Sequence, residues 1–190
     1  MQPSFYYISG DGYTVVFIHG FCESGTLWKP LSGTLSGEFK IICPDLPGFG
    51  KSTLTPSGFS LTDIGDGLVS GLQSLGISAC VVIGHSLGGY VALEMLRKHP
   101  GFAKGIGLLN SSAFEDPADK KENRNKLIAF IQSHGVAPFI KTFVPSLFYP
   151  ATAKKHQKTI DRISKEGMSI QAASVMQYAA AMRDRRDSMD

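Results

Sequence analysis

Val81-Val82-Ile83-Gly84-His85-Ser86-Leu87-Gly88-Gly89 is the stretch that decides the fold. A β-branched apolar run enters a glycine, a serine stands two residues on, and two further glycines open a helical pattern. The G-x-S-x-G spacing predicts a strand, a sharp turn and a helix with Ser86 in the turn, because small residues on both sides let the backbone close that tightly. The helix, expected over Ser86 to His99, would carry the serine at its first turn, where free N–H groups and the helix dipole favour negative charge. Such an elbow requires an acid and then a histidine later in the chain.

The runs flanking the elbow extend the same reading. Lys40 to Cys43, Cys80 to Ile83 and Gly105 to Leu109 are short apolar segments separated by helical ones, the alternation of a parallel sheet, and their lack of polar alternation predicts burial on both faces. Upstream, Phe5 to Ile8 and Thr14 to Ile18 flank the turn-forming Ser9-Gly10-Asp11-Gly12 and are expected to pair as a hairpin. Leu61, Ile64, Leu68, Leu72 and Leu75 form a helical stripe with Ser60 or Thr62 as cap and Gly76 as stop. A helix over Leu27 to Leu35 is interrupted by Pro30 and Gly33. Beyond Asn110 the pattern changes: Glu115 to Lys126 is dense in charge, and Leu127 to Arg183 is helical with breaks expected at Gly135, Pro138, Pro145, Pro150 and Gly167. The division that follows is residues 1–112 as an α/β core and residues 113–190 as an all-helical cap.

Composition excludes several classes. Of 190 residues 43% are hydrophobic and 18% charged, which fits one globular unit. The 19 basic and 16 acidic residues leave a net charge of +3 with no clustered basic face, so no nucleic-acid partner is expected. No segment approaches the length of a membrane span and the first ten residues have no signal-peptide character, so no membrane partner is expected. Cys22, Cys43 and Cys80 are odd in number and widely spaced, which predicts reduced thiols and a cytoplasmic setting.

Three signatures in order, His19-Gly20-Phe21, Asp45-Leu46-Pro47-Gly48-Phe49-Gly50-Lys51-Ser52 and Gly84-His85-Ser86-Leu87-Gly88, make the chain similar to the α/β-hydrolase superfamily. The resemblance covers about Phe5 to Arg186 and is nearest to esterase, enol-lactonase, peroxidase-like and epoxide-hydrolase-like members, with the stretch after Asn110 as the helical cap. It implies a mostly parallel sheet with flanking helices and hydrolysis of a carboxylic ester, lactone or related acyl substrate through an acyl-Ser86 intermediate. No cofactor or metal is implied. Ser86 is the expected nucleophile, and the backbone N–H groups of Phe21 and Leu87 are the expected oxyanion donors. Epoxide and haloalkane chemistry is disfavoured, since those relatives carry an aspartate at the nucleophile position.

Other residues carry alternatives. His19 and Gly20 are expected to shape the oxyanion loop, and His85 to line the pocket, because adjacent residues at an elbow point in different directions. Asp45 is expected to bond local backbone rather than serve as the acid. Trp28, Phe139, Phe143, Phe148 and Tyr149 could line an acyl pocket or form cap core. Cys22 is expected to pack, and His134 and His156 to face solvent. No residue is identified as the triad histidine. Asp184, Asp187 and Asp190 do not end a strand, and Glu115 and Asp116 are the remaining carboxylates near the sixth strand. Three readings stay open: a truncated hydrolase of weak or no activity, a ligand-binding module on a hydrolase scaffold, or half of an assembly completed by another chain along the Gly105 to Leu109 edge.

Overall fold

The computed structural model describes residue 3 and residues 6–54 and 58–189. Strand β1 is Tyr6–Ser9 and β2 is Tyr13–Ile18. A 3-10 turn at Gly25–Trp28 leads into α1, Lys29–Leu35, with Pro30 in its first turn, where its missing N–H costs no helix bond. Then come β3 (Phe39–Pro44), α2 (Leu61–Ser74), β4 (Cys80–His85), α3 (Leu87–Lys98) and β5 (Ala103–Leu109). The remainder is helical: α4 (Ala118–His134), α5 (Val136–Ser146), α6 (Pro150–Ala153), α7 (Gln157–Met168) and α8 (Ala172–Arg183), with a 3-10 turn at Lys154–His156.

The sheet runs β1-β3-β2-β4-β5, parallel throughout except for β1, which lies antiparallel on β3. The expected hairpin is therefore corrected: β1 and β2 do not pair, and β3 lies between them. The turn glycines explain why. Gly10 and Gly12 have φ of +74° and +104°, and a Cβ on Gly10 would collide with the carbonyls of Phe39 and Ser36. The turn therefore arches over the start of β3 instead of closing a two-strand ladder. Phe5 lies outside the described residues.

Helix α2 begins where its capping chemistry dictates. Ser60 Oγ accepts from the Asp63 N–H, and the Asp63 carboxylate accepts from the Ser60 N–H at 2.7 Å, so Ser60 rather than Thr62 is the cap. These bonds hold the Asp63 pKa below its ordinary value. Leu61, Ile64, Leu68 and Leu72 are buried, whereas Leu75 lies past the helix end and is 40% exposed.

Two apolar clusters sandwich the sheet. Val16, Ile18, Ile42 and Val82 pack beneath α2 and α3, and this cluster continues without interruption into the helical segment through Phe21, Phe49, Ile140, Val175 and Tyr178. Phe17, Trp28, Ile41 and Cys43 form the smaller second cluster. Burial on both faces holds for the central strands but not for β5, whose Leu108 and Leu109 are 41% and 46% exposed because it is an edge strand among the described residues.

In the helical segment, Gly135 (φ +76°) separates α4 from α5, and Pro150 opens α6. Pro138 falls within the first turn of α5 and Pro145 near its end, so neither interrupts it in the middle. Gly167 does not break α7; a Cβ there would lie 3.0 Å from Ile140, so the glycine permits close approach of α7 to α5. Tyr178 of α8 is fully buried, stacked on Phe49 with ring centroids 4.6 Å apart and edge-on to Phe59 at 4.8 Å.

Candidate active site

Ser86 occupies the turn between β4 and α3 with φ +49° and ψ −114°, a backbone conformation that costs a non-glycine residue of order 1–3 kcal/mol. Its neighbours show what holds it there. A Cβ on Gly84 would collide with the Gly88 carbonyl and the Gly89 nitrogen, and one on Gly88 would collide with the Ile18 carbonyl. The Ser86 N–H donates to the Leu109 carbonyl at 3.0 Å, and Ser111 Oγ donates to the Ser86 carbonyl at 2.7 Å. Its side chain is partly exposed, and among the described residues nothing hydrogen-bonds its hydroxyl.

The loop after β2 faces this turn. Leu87 opens α3, so its N–H has no acceptor within the helix. Phe21 is buried, and among the described residues neither its N–H nor that of Leu87 has a hydrogen-bond acceptor. Cys22, next in the loop, also has positive φ (+61°). Its buried thiol is pushed well above its ordinary pKa by desolvation, the opposite of the shift an activated thiol needs.

His19 is completely buried. Its Nε2 accepts from the Leu46 N–H at 2.9 Å, which makes Nδ1 the protonated nitrogen, donating to the Gly20 carbonyl at 2.8 Å. Burial lowers its pKa and keeps it neutral. With both ring nitrogens occupied, it braces the loop and has none free to act on Ser86. Asp45 is likewise committed: its two oxygens accept from the Gly25 N–H at 2.7 Å and the Lys51 N–H at 2.8 Å.

Glu23 joins this site although sequence reasoning did not single it out. Its side chain is 7% exposed, and Oε2 both accepts from the Gly20 N–H at 2.7 Å and lies 3.0 Å from His85 Nδ1. This hydrogen bond raises the His85 pKa above the ordinary histidine value, outweighing partial burial. A Cβ on Gly20 would lie 2.7 Å from Glu23 Oε2 and 2.8 Å from His85 Nδ1, so a side chain there would push the pair aside. The available signal was a carboxylate three residues past Gly20 in an otherwise small and apolar loop.

Of the aromatic candidates, Phe139 and Phe143 stack on each other at 4.8 Å and meet the Phe21 ring at 6.2 and 6.0 Å, which brings α5 over the loop after β2. Trp28 does not join them. It packs in the second cluster, 5.1 Å from Phe17 and edge-on to His85 at 6.4 Å, because the 3-10 turn carries it to the other face of the sheet. Phe148 sits beside His156, and Tyr149 is 73% exposed.

Other carboxylates and histidines near the chemistry are accounted for. Asp116 is buried between Arg185 (2.7 Å) and Arg124 (3.2 Å), and Glu115 pairs with Lys121 at 2.6 Å. His134 and His156 are exposed. Asp184 is bonded to Arg183, which holds its pKa down. Among the described residues, no group of three or more His, Cys, Asp or Glu is placed to hold a metal, and no helix is long and apolar enough to cross a membrane. A cavity of about 710 Å³ lies beside the loop after β2, bordered by Cys22, Glu23, Lys29, Asp45, Lys51 and Ser174; Ser86 does not line it.

Comparison with known proteins places this geometry. A thermophilic esterase from Thermogutta terrifontis superposes with a TM-score of 0.91 at 31% identity, over 97% of this chain and 68% of the esterase. The enol-lactonase from Burkholderia xenovorans LB400 superposes at 0.87 with 17% identity, over 97% of this chain and 73% of that one, which speaks for the fold alone. A Yersinia enterocolitica protein named as a carbamate hydrolase, RutD, is 29% identical over 167 residues, 87% of this chain and 56% of that protein. The chain spans about half the length of the curated relatives it matches. A sequence model described as the alpha/beta hydrolase fold matches residues 13–147. With its strained serine, its glycine-lined turn and this match, the chain belongs to the α/β-hydrolase fold family.

Proposed function

We propose that Ser86 is the nucleophile of a serine hydrolase acting on a carboxylic ester, lactone or related acyl compound. The observation that carries this reading is the positive φ of Ser86 at the strand-to-helix turn, beside the N–H groups of Phe21 and Leu87, which have no acceptor among the described residues. Ser86 Oγ adds to the carbonyl carbon as its proton passes to a base, and the resulting oxyanion is held by the two N–H groups, each contributing on the order of 3 kcal/mol. Collapse expels the alcohol, which takes the proton, and water then cleaves the acyl-Ser86 ester. Phe21, Phe139 and Phe143 form the apolar wall for the acyl group, and residues 113–190 act as the cap. The reaction uses no cofactor.

The base and its acid are proposed to lie on a segment that pairs along β5. The exposed Leu108 and Leu109 on that edge, and the greater length of the relatives, support this. The 190-residue chain alone is then weakly active or inactive, since loss of a triad member costs orders of magnitude. Three free, buried cysteines fit a reducing, cytoplasmic setting.

The test is fluorophosphonate labelling with p-nitrophenyl acetate turnover, on this chain and on a version extended along its reading frame. Ser86 is expected to be labelled, strongly in the extended protein, and Ser86→Ala to abolish labelling. Saturable ligand binding without labelling in either form would replace this reading with a binding module.

A further inference from the structure

We propose that Glu23 is a positioning residue that fastens the oxyanion loop to the nucleophile turn and so aims the Phe21 and Leu87 N–H groups at one point; the catalytic part of this inference rests on the reading of Ser86 given above. The two donors belong to different elements, the loop after β2 and the first turn of α3, so their convergence must be imposed. Glu23 Oε2 imposes it by bonding the N–H of Gly20, one residue before Phe21, and the imidazole of His85, one residue before Ser86. His19 fastens the other side of the same loop to Leu46, so the loop is held at both flanks.

Charge makes the clamp conditional. The groups that face or feel His85 are Glu23 on the loop, the Trp28 ring edge-on, and His19, which is close enough to sense its charge. With His85 protonated, the Glu23 carboxylate is neutralised by its partner, and a charge-assisted bond of this kind is about twice as strong as a neutral one. With His85 neutral, an uncompensated carboxylate remains beside the place where negative charge develops during reaction.

Amide hydrogen exchange on the 15N-labelled chain tests the clamp without any need for turnover. Glu23→Ala is expected to speed exchange at Gly20 and Phe21 by at least about tenfold, while the Val82 amide in the central strand is unchanged. In parallel, the His85 imidazole is expected to titrate above the ordinary histidine value and to fall back in Glu23→Gln. Where the chain labels with fluorophosphonate, His85→Ala is expected to slow labelling by about tenfold. His85→Asn, which retains a donor at the same place, should restore the rate and remove the fall in labelling through the His85 titration. Unchanged Phe21 exchange in Glu23→Ala, or in His85→Ala should Glu23→Ala fail to fold, overturns the clamp. So does His85→Asn behaving like His85→Ala. Faster exchange in Glu23→Ala, together with a wild-type chain and an extended protein that both fail to label, leaves the clamp standing and removes the serine-hydrolase reading.

Discussion

The turn around Ser86 and the helical segment after β5 are held by different forces, and the difference shows what each demands of its sequence. At the turn, backbone meets backbone: Gly84 against Gly88 and Gly89, and Gly88 against Ile18, with buried polar groups satisfied one by one. In the helical segment, side chain meets side chain: Phe139 against Phe143 and Tyr178 against Phe49, with ion pairs arranged around them. The first region tolerates no added atom at its glycines. The second tolerates exchange of atoms but not their removal.

That contrast can be broken by mutation. The largest expected effect is at the joint between the helical segment and the core, where Asp116 is buried between Arg124 and Arg185, and Arg185 also lies over the Tyr90 ring at 3.9 Å. Asp116→Ala leaves the Arg185 guanidinium without its buried counter-charge and should cost about 3–5 kcal/mol, read from urea unfolding. Tyr178→Ala removes a fully buried ring and should cost about 3–5 kcal/mol as well. Because the main cluster runs through both regions, either change should lower one cooperative transition monitored by both near-UV and far-UV circular dichroism. Two separated transitions would show that the helical segment folds as its own unit.

Next in size is Gly84→Ala, which adds a single methyl against backbone and should cost about 1–3 kcal/mol. The paired control is Gly33→Ala in α1, where nothing lies within 4 Å of the added carbon; it should gain about 0.4–1 kcal/mol. Equal effects at the two glycines would remove the distinction drawn here. Ser60→Ala should cost about 1 kcal/mol through loss of the α2 cap.

The smallest effects are pH-dependent and run in opposite directions. His85 has its pKa raised in the folded state, so the Glu23 pairing stabilises fully below the unfolded value of about 6.5 and is lost as pH rises through the folded value. Asp63 has its pKa lowered, so its contribution is present above the unfolded value of about 3.9 and is lost as pH falls through the folded one. Stability measured from pH 2 to pH 9 should therefore lose the Asp63 share at the acid end and the His85 share at the alkaline end. Glu23→Gln should remove only the alkaline loss.

How much was legible in the sequence follows from the same contrast. Backbone crowding leaves glycines at fixed intervals, so the strand, turn and helix around Ser86 could be read off directly, as could the positions of β3, β4 and β5. The pairing of β1 could not, because Gly10 and Gly12 are as compatible with a hairpin turn as with an arch over β3, and only the Ser36 and Phe39 carbonyls decide between them. The local role of Asp45 was readable from its Pro-Gly turn. Glu23 was not, since its partner His85 is 62 residues away and neither residue is unusual by itself. Trp28 was misplaced for a related reason: aromatic character is visible in a sequence, but the face of the sheet it reaches is set by the 3-10 turn that carries it.

The bonds from the Ser86 backbone to Leu109 and Ser111 carry a mechanical implication. Both peptide groups of the serine are anchored to an edge strand of the sheet or to the residues just beyond it, one of which, Asn110, has φ of +48°. The orientation of the Ser86 peptide groups and the seating of β5 are thus one structural variable rather than two, since both bonds depend on where that strand and the residues after it lie.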